Sequence, residues 1–321
     1  MEIINNVTQD VIKKAAKALK EGHLVAFPTE TVYGLGADAT NEKAVSRIYS
    51  VKGRPIDHPL IVHISSIIQL DKWAIDIPEY ARKLANEFWP GPMTLILKRS
   101  DLAKDCITGG QDNVGLRVPN QADALALLSE FEALGGQGVA APSANRFGAV
   151  SPTSAGAVSE ELNMYLSKED LILDGGECTV GIESTIIDCT KFAPTVLRPG
   201  IISSKKINSL YGLEISNKSE KNEIKTPGLL ESHYCPHANV ILEGPISHGD
   251  AFLAMADVPT PYGAVRLGSP NTLEQFAKEL YSTLRLCDKK KISNIKIIQP
   301  EGEGLAEAIR DRLHKSANRN K

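Results

Sequence analysis

The chain has 321 residues, of which 42% are hydrophobic and 23% charged, a composition typical of a folded protein with about two domains. Its formal net charge of −3 at pH 7 excludes a general electrostatic attraction to nucleic acid. Its five cysteines contain no C-x-x-C pair and are odd in number, which argues against a disulfide framework or a zinc site.

The N-terminal segment predicts an amphipathic helix rather than a targeting signal. Residues 8–21 place apolar side chains at helical spacing between lysines, with Thr8 as candidate N-cap and Gly22 as C-cap. No apolar run in the chain approaches the roughly 20 residues that a membrane helix needs. We therefore expect a cytoplasmic protein that makes no membrane contact.

The stretch that follows combines a buried strand, a polar loop and a helix. "HLVAFPT" predicts a strand ending near Pro28, and "FPTETVYGLG" then supplies two threonines, a tyrosine and two glycines. This composition fits a loop that lines a substrate, although a plain turn is the alternative. The helical spacing of "NEKAVSRIYSVK" predicts a helix with Lys52 at its C-terminal end.

The segment "VKGRPIDHPLIVH" (51–63) places two cations and two histidines against an apolar strand. Pro55 biases Arg54 toward extended backbone, so that Lys52 and Arg54, two residues apart, would point the same way. Two converging cations, one of them a bidentate guanidinium, suit phosphate oxygens. A solvated loop with two ordinary surface charges is the competing interpretation.

The remaining apolar runs predict strands, and helical spacing interrupts them at irregular intervals. The helices are predicted over 78–89, 120–132 and 154–163, and the strands over "LIVHI", "TLILK", "NVGLRVP", "QGVAAPS", "LILDGG", "STIIDCT" and "TVLRPG". This irregular mixture indicates a twisted, mixed α/β sheet rather than a regular βαβ repeat.

Several polar side chains fall inside these apolar runs. Arg117 in "NVGLRVP" needs an anionic partner, either a protein carboxylate or the carboxylate of a small substrate. His63 in "LIVHI" is either a hydrogen-bonded core histidine or a ligand contact. Ser184 and Arg198 add polar groups at strand edges in "GIESTIID" and "VLRPG".

The stretch "APSANRFGAVSPTSA" (141–155) follows a predicted strand with serines, Asn145 and Gly148. Such small residues let amides and hydroxyls approach phosphate or a hydrated metal, although a capped helix start at Ser151 or Thr153 would also explain them. The chain carries neither a P-loop nor a dinucleotide-binding fingerprint. A nucleotide would therefore bind by another architecture.

The pattern breaks down over residues 203–236, where "SNKSEKNEIKTPGLLESHYCPHA" is polar and rich in turn formers. This stretch predicts a linker. After it, "NVILEGP", a helix over 271–286, "NIKIIQP" and a last helix over 303–317 predict a small αβ unit.

Nine stretches, in family order along nearly the whole chain, resemble the Sua5/YrdC family of threonylcarbamoyl-AMP synthases. They are "FPTETVYGLG", "KGRPIDHPLIVH", "WPGPMTLIL", "GLRVPN", "APSANRFGAVSPT", "GIESTIID", "LRPG", "TPGLLESHYCPH" and "EGEGLAEAIRDRLHKSA". The K-x-R…S-x-N signature of the family falls on Lys52, Arg54, Ser143 and Asn145.

The resemblance implies a fold and an activity. It implies an α/β protein with a YrdC-like mixed-sheet domain around a large cavity (1–205), a linker that serves as an active-site lid (206–237) and a smaller Rossmann-like Sua5 domain (238–321). The implied reaction converts L-threonine, bicarbonate and ATP to L-threonylcarbamoyladenylate and pyrophosphate. It is the first step toward N6-threonylcarbamoyladenosine at position 37 of tRNA, so that a downstream transferase machinery and tRNA contact are implied partners.

The resemblance also implies the site residues. The catalytic set is Lys52, Arg54, Ser143 and Asn145; the ATP site is Lys52, Arg54, His58, Asn113, Ser143, Asn145, Ser151, Arg198 and Tyr234; the threonine site is Thr31, His63, Arg117 and Ser184. Mg²⁺ is expected with ATP and without protein ligands, and Tyr234 is the expected lid residue. The chain departs from many relatives at His58, where they carry asparagine, and at residues 230–232, where some carry more basic side chains.

Two other classes of function compete with this reading. An RNA-binding module would use the cations on a phosphate backbone, but the negative net charge and the 5% aromatic content disfavour it. A carbamoyl-phosphate-handling enzyme of the hydrogenase-maturation type contains a related domain. Such chains resemble this one only in part, since they are longer and carry acylphosphatase and zinc-finger segments.

Overall fold

A computed structural model describes residues 2–211, 224–228 and 232–318 of the chain. The first part forms one large sheet, whose strands are β1 (Glu2–Asn5), β2 (Val25–Phe27), β3 (Gly34–Asp38), β4 (Ile61–His63), β5 (Met93–Lys98), β6 (Asn113–Arg117), β7 (Val139–Ala140), β8 (Leu171–Asp174), β9 (Thr185–Asp188) and β10 (Thr195–Arg198). In space these strands follow the order β1-β8-β2-β3-β7-β4-β6-β5-β9-β10, with parallel and antiparallel pairs mixed.

Helices lie along this sheet and continue into the second part of the chain. They are α1 (Gln9–Lys20), α2 (Glu42–Lys52), α3 (Leu70–Trp73), α4 (Glu79–Phe88), α5 (Asp105–Thr108), α6 (Ala122–Ala133), α7 (Ala155–Leu162), α8 (Ser204–Tyr211), α9 (Leu273–Lys289) and α10 (Leu305–Ala317). Alternate residues of β2 face two cores: Val25 and Phe27 pack with α1 and α6, whereas Leu24 and Ala26 join the larger core on the other face.

Local sequence fixes the helix that leads into the cationic segment. Asn41 caps α2 by accepting hydrogen bonds from the backbone N–H groups of Lys43 and Ala44. The helix ends at Gly53, whose φ of +61° is the left-handed conformation that favours glycine. The chain therefore turns sharply between Lys52 and Arg54, and these two residues converge through a helix end rather than through the extended stretch predicted from sequence.

Strand register brings two of the predicted site residues together. Strands β4 and β6 are parallel neighbours in which His63 pairs with Arg117. Strand β7 lies on the other side of β4 and leads into the segment that carries Ser143. Side chains that are far apart in sequence thus meet at one end of adjacent strands.

The second part of the chain forms a smaller αβ unit. Its strands β11 (Asn239–Ile241), β12 (Ala251–Leu253), β13 (Val265–Gly268) and β14 (Asn294–Ile297) are all parallel and follow the order β11-β14-β12-β13. The apolar faces of α9 and α10 form its core, which extends onto the first part through Val150 and Ile182. The two units therefore share one hydrophobic cluster.

The fold class predicted from sequence is confirmed as a mixed sheet with a smaller αβ unit. The sequence reading missed β1, β3, β12 and β13, and it assigned the residues of β3 to a loop. The predicted domain boundaries stay predictions, and much of the predicted linker lies outside the described residues, including residues 212–223 and 229–231. Among the described helices, none combines the length and the apolar character required to cross a bilayer.

Candidate functional site

A cavity opens at the ends of β4 and β6, beneath described residues of the segment that joins the two units. Ten of the thirteen site residues predicted from sequence line it: Thr31, Lys52, Arg54, His63, Arg117, Ser143, Asn145, Ser184, Arg198 and Tyr234. The structure thus gathers residues from seven separate stretches of sequence into one concave site, which is the form expected of a small-molecule pocket.

Lys52 and Arg54 enter the cavity from the end of α2, and both side chains are buried. The ammonium of Lys52 donates to the carbonyl oxygen of Ser143 at 2.6 Å and to that of Asn145. The guanidinium of Arg54 donates to the carbonyl of Pro59 at 2.9 Å and lies over the ring of Phe147. Neutral acceptors thus orient both cations.

Arg198 enters from the end of β10 and is held in the same way. Its Nε and Nη2 donate to the carbonyl oxygen of Ser184 at 3.1 and 2.9 Å, and Nη1 donates to the carbonyl of Pro227 at 3.0 Å. Nη2 also reaches the hydroxyl of Ser184 at 3.1 Å. Arg198 therefore connects the strand end that carries Ser184 with the segment above the cavity.

These three cations are buried, and the charge of Glu183 acts on Arg198 only from beyond ion-pair distance. None of them contacts a carboxylate within 4 Å in the described part of the chain. Burial lowers the pKa of Lys52 far below its ordinary value, assisted by the nearby charge of Arg54, and lowers the pKa of Arg54 to about 10. Since unpaired buried charge is costly, the site is built to receive a ligand with several negative charges.

Arg117 is the exception, because it has a protein carboxylate as partner. Its Nη2 lies 2.7 Å from Oε1 of Glu30, and both side chains are buried. Its Nη1 donates to the hydroxyl of Thr31 at 2.9 Å, which leaves the edge of the guanidinium at the cavity wall. Of the two partners that the sequence left open, the structure contains the protein carboxylate.

His63 lies beside Arg117 and is neutral. Burial, with the charge of Arg117 as the next cause, lowers its pKa to about 3. Its ring meets that of Phe27 edge to face, and its Nδ1 has no hydrogen-bond partner among the described residues. A neutral imidazole on the cavity wall can exchange a hydrogen bond with a ligand but adds no charge.

The segment after β7 supplies small polar groups. Asn145 is held by its amide, which donates to the carbonyls of Arg146 and Ala149 at 2.8 Å each. Its Oδ1 is buried without a partner in the described chain, so it is free to accept a hydrogen bond. Ser143 pairs with Gly34 of β3, which fixes this segment against the sheet.

The segment that joins the two units supplies one wall of the cavity. Tyr234 is buried with φ at +62° and stacks on Tyr281 of α9, with ring centroids 5.5 Å apart. His233 meets both Tyr234 and Phe147 edge to face. These aromatic contacts hold described residues of the joining segment over the cations.

Three residues of the predicted ATP site lie outside the cavity lining. His58 packs against Phe147 at a centroid distance of 5.2 Å, one ring behind the wall. Asn113 starts β6, at the opposite end of the strand from Arg117. Ser151 is fully buried and donates to Oε1 of Glu183 at 2.7 Å, so its hydroxyl serves a protein carboxylate.

Sequence reasoning missed two acidic residues of the site, Glu30 and Glu183. Glu30 directly precedes Thr31, and Glu183 directly precedes Ser184, both of which were predicted. This adjacency is the signal in the sequence that could have identified the two acidic residues. Their partners are distant in sequence: Glu30 pairs with Arg117, and Glu183 pairs with Arg312. Local sequence does not reveal these pairs.

A wider and more open groove lies elsewhere, around Arg99 and Lys98. Its charges neutralise one another: Arg99 lies 2.6 Å from Asp105, and Lys98 lies 3.2 Å from Asp76. Because carboxylates already pair with both of these cations, we place the functional site in the smaller cavity.

Few acidic or metal-binding side chains surround the cavity. In the described ranges no group of three or more His, Cys, Asp or Glu side chains is arranged around a common point. Of the two carboxylates near the cavity, Glu30 pairs with Arg117, and Glu183 already accepts from Ser151, Tyr281 and Arg312. Among the described residues, both carboxylates near the cavity are thus engaged by protein groups, and phosphate oxygens are the other ligands that suit Mg²⁺.

Comparisons with known proteins cover nearly the whole chain. Residues 17–200 match the Sua5/YciO/YrdC family model, described as "Telomere recombination", and residues 202–318 match a model described as "Threonylcarbamoyl-AMP synthase, C-terminal domain". The chain is 40% identical to a threonylcarbamoyl-AMP synthase of Pyrococcus abyssi, over 99% of this chain and 98% of the relative. It is 39% identical to one of Bacillus subtilis, over 95% and 92%. The crystal structure of P. abyssi Sua5 complexed with L-threonine is similar at a TM-score of 0.87 and 39% identity, over 99% of this chain and 98% of that chain.

Proposed function

The chain belongs to the Sua5 family of threonylcarbamoyl-AMP synthases, and we propose that its cationic cavity is where L-threonine, bicarbonate and ATP react. Membership confirms the family resemblance and the class of enzyme, a nucleotidyltransferase that forms L-threonylcarbamoyladenylate. The observation that carries the assignment of the site is the group of three buried cations that are held by carbonyls and form no ion pair with a described carboxylate.

The threonine end of the cavity is proposed at Arg117, Thr31, His63 and Ser184. The guanidinium of Arg117 would donate hydrogen bonds to the α-carboxylate, while Glu30 fixes the orientation of the guanidinium from the other side. The hydroxyl of Ser184 bonds to that of Thr94 at 2.8 Å and faces the cavity, and it is suited to the amine or hydroxyl of threonine. Neutral His63 offers a hydrogen bond without repelling the amine.

The nucleotide end is proposed at Lys52, Arg54 and Arg198, with Ser143 and Asn145. The three cations suit phosphate oxygens, and the unpartnered Oδ1 of Asn145 suits a donor on the nucleotide. Tyr234 would close this end as the lid residue. Ser151, Asn113 and His58 stay predictions for the ATP site, although their side chains lie outside the lining.

The residues act on the reaction through position and charge. When the carbamate of threonine attacks the α-phosphate, negative charge builds on the phosphate oxygens and on the departing pyrophosphate. Lys52, Arg54 and Arg198 are already oriented toward that charge, so little reorganisation is needed. The joining segment limits access of water, which protects a carbamate that hydrolyses readily.

Mg²⁺ remains a prediction for this reaction. Because both described carboxylates near the cavity are engaged by protein groups, the ion would be held by the phosphate oxygens of ATP and arrive with it. A cytoplasmic location, delivery of the adenylate to a threonylcarbamoyl transferase machinery and contact with tRNA also remain proposals. All five cysteines are free thiols, which fits a reducing compartment.

The test follows pyrophosphate release from ATP and bicarbonate with and without L-threonine. We expect release to depend on threonine, and we expect Lys52→Met and Arg54→Met each to lower it by about a hundredfold or more, as loss of a transition-state donor does. Lys98→Met is the matched control, because Lys98 is an exposed lysine that pairs with Asp76 outside the cavity.

Release that ignores threonine would contradict the synthase assignment. Full turnover by folded Lys52→Met and Arg54→Met proteins would contradict the placement of the phosphates while leaving the activity itself standing. An RNA-binding role without synthesis would appear as salt-dependent RNA binding together with no release of pyrophosphate.

A further inference from the structure

One fully buried side chain from the second unit reaches the wall of the catalytic cavity. Arg312 of α10 is 0% exposed, and its Nε donates to Oε2 of Glu183 at 2.9 Å. Its Nη2 donates to the backbone carbonyl of the same residue at 3.3 Å, and its Nη1 donates to the carbonyl of Pro199 at 2.9 Å. One guanidinium therefore holds two separate chain segments of the first unit.

These two segments are the ones that deliver Ser184 and Arg198 to the cavity. Glu183 directly precedes Ser184 at the start of β9, and Pro199 directly follows Arg198 at the end of β10. Strands β9 and β10 are antiparallel neighbours, so the two points lie side by side. Arg312 thus ties together, from behind, the backbone that positions one residue at each end of the proposed site.

The carboxylate of Glu183 is held from three directions. Tyr281 of α9 donates to Oε2 at 2.9 Å, Ser151 donates to Oε1 at 2.7 Å, and Arg312 completes the set. Helix α10 also contacts the joining segment, because the hydroxyl of Ser316 donates to the carbonyl of Tyr234 at 3.0 Å. The second unit is therefore in direct contact with the cavity wall through polar groups that are fully satisfied.

We propose that Arg312, acting through Glu183, is a positioning residue that sets the placement of Ser184 and Arg198 and thereby the affinity for threonine. The inference rests on the proposed function, since Ser184 is assigned there to threonine. Arg312 lies behind the wall and touches no substrate, so its influence passes through the backbone of the two strand ends. The second unit then contributes to substrate binding without lending a side chain to the substrate.

The test compares threonine KM and kcat in three variants measured by threonine-dependent pyrophosphate release. Tyr281→Phe removes one hydrogen bond to Glu183 and keeps every charge, and we expect threonine KM to rise about three- to tenfold. Arg312→Lys keeps the charge but cannot reach both Glu183 and Pro199, and we expect a rise of about tenfold or more. Loss of stability alone would lower kcat through a smaller active fraction and leave KM unchanged.

Arg310→Met is the matched control. It removes an arginine from the same helix, two residues earlier, whose side chain donates only to the carbonyls of Pro300 and Gly302 within the second unit. We expect its threonine KM to equal that of the wild type. If Arg312→Lys does not fold, Tyr281→Phe and the charge-neutral pair Glu183→Gln/Arg312→Met carry the test.

The outcomes separate this inference from the proposed function. Unchanged threonine KM in the folded variants, beside an active wild type, would overturn the role of Arg312 alone. A wild type without threonine-dependent release would overturn the proposed function and this inference with it. A raised KM in the variants, with the control unaffected, would support both.

Discussion

At the scale of single residues, the side chains of the cavity fall into two electrostatic classes. Lys52, Arg54 and Arg198 are fixed by backbone carbonyls, which orient them without cancelling their charge. Arg117 is instead neutralised by Glu30. The proposed phosphate end of the site therefore carries an excess of positive charge. The proposed threonine end is nearly balanced, as suits a zwitterion.

Glu30→Gln tests whether Arg117 receives the threonine carboxylate. The change leaves a buried guanidinium without its partner, and we expect the free energy of unfolding to fall by about 3 kcal/mol. Saturating threonine should restore part of that loss, because its carboxylate would supply an anion to the guanidinium from the cavity side. Chemical denaturation with and without threonine measures both quantities.

Asp170→Asn provides the comparison, since Asp170 forms a buried ion pair with Arg47 at 2.6 Å away from the cavity lining. We expect it to destabilise the protein equally at all threonine concentrations. If the loss of stability in Glu30→Gln, relative to the wild type, were also the same at all threonine concentrations, Arg117 would not bind the substrate carboxylate.

The neutral state of His63 predicts a pH dependence of stability. Its pKa is about 3 in the folded protein and near 6.5 when unfolded, so that below pH 6.5 the unfolded chain binds the extra proton. Stability should therefore fall as pH drops from 6.5 toward 3, by up to about 1.4 kcal/mol per pH unit from this residue. Urea denaturation between pH 7 and 5 should give a shallower slope for His63→Gln than for the wild type. Parallel slopes would mean that the imidazole is charged in the fold.

At the scale of elements, the end of α2 decides where the two signature cations point. Gly53 has a positive φ, and a Cβ there would lie 2.6 Å from a guanidinium nitrogen of Arg146. That guanidinium in turn donates to the carbonyl of Val51, the last turn of the helix. Gly53 and Arg146 therefore pack closely at the end of α2, and a side chain at position 53 would displace Arg146.

Gly53→Ala should therefore disturb the site as well as the fold. We expect a loss of about 1–3 kcal/mol in the free energy of unfolding, from backbone strain and displacement of Arg146, together with slower turnover. Gly156→Ala is the control, since Gly156 lies near the start of α7 with an ordinary φ and open space around its Cβ position. Equal stability of the two variants would refute the strain argument.

Sequence could predict the elements of the site better than its internal contacts. Lys52, His63 and Arg117 were found because a charge or an imidazole stands out at a helix end or within an apolar strand. Glu183 was missed because its meaning depends on Arg312, 129 residues away, which no local pattern connects to it. Asn113 stays a prediction: it starts the strand that ends at Arg117, and only the structure shows that the two residues lie at opposite ends of that strand.

At the scale of the whole molecule, the two units are joined by apolar as well as polar contacts. Phe276, Leu280 and Leu313 of the second unit share a buried cluster with Val150 and Ile182 of the first. Arg312 adds the polar contact to Glu183. The second unit is therefore packed as part of one cooperative structure.

This packing predicts a single unfolding transition. The only two tryptophans, Trp73 and Trp89, lie in the core of the first unit, so that their fluorescence reports that unit alone. Far-ultraviolet circular dichroism reports both units, and we expect its urea midpoint to coincide with that of fluorescence. A dichroism change that precedes the fluorescence change would reveal a second unit that unfolds independently.

The carbonyl-held cations have a consequence for laboratory evolution. Charged groups that are buried and unpaired lower the stability of the ligand-free protein. Apolar replacements at such positions commonly raise thermal stability. A library of this chain that is selected only for thermal stability should accumulate neutral side chains in place of Lys52, Arg54 and Arg198. The selected proteins would be more stable but would lack synthase activity. Selection would retain the three cations only when survival is coupled to adenylate synthesis.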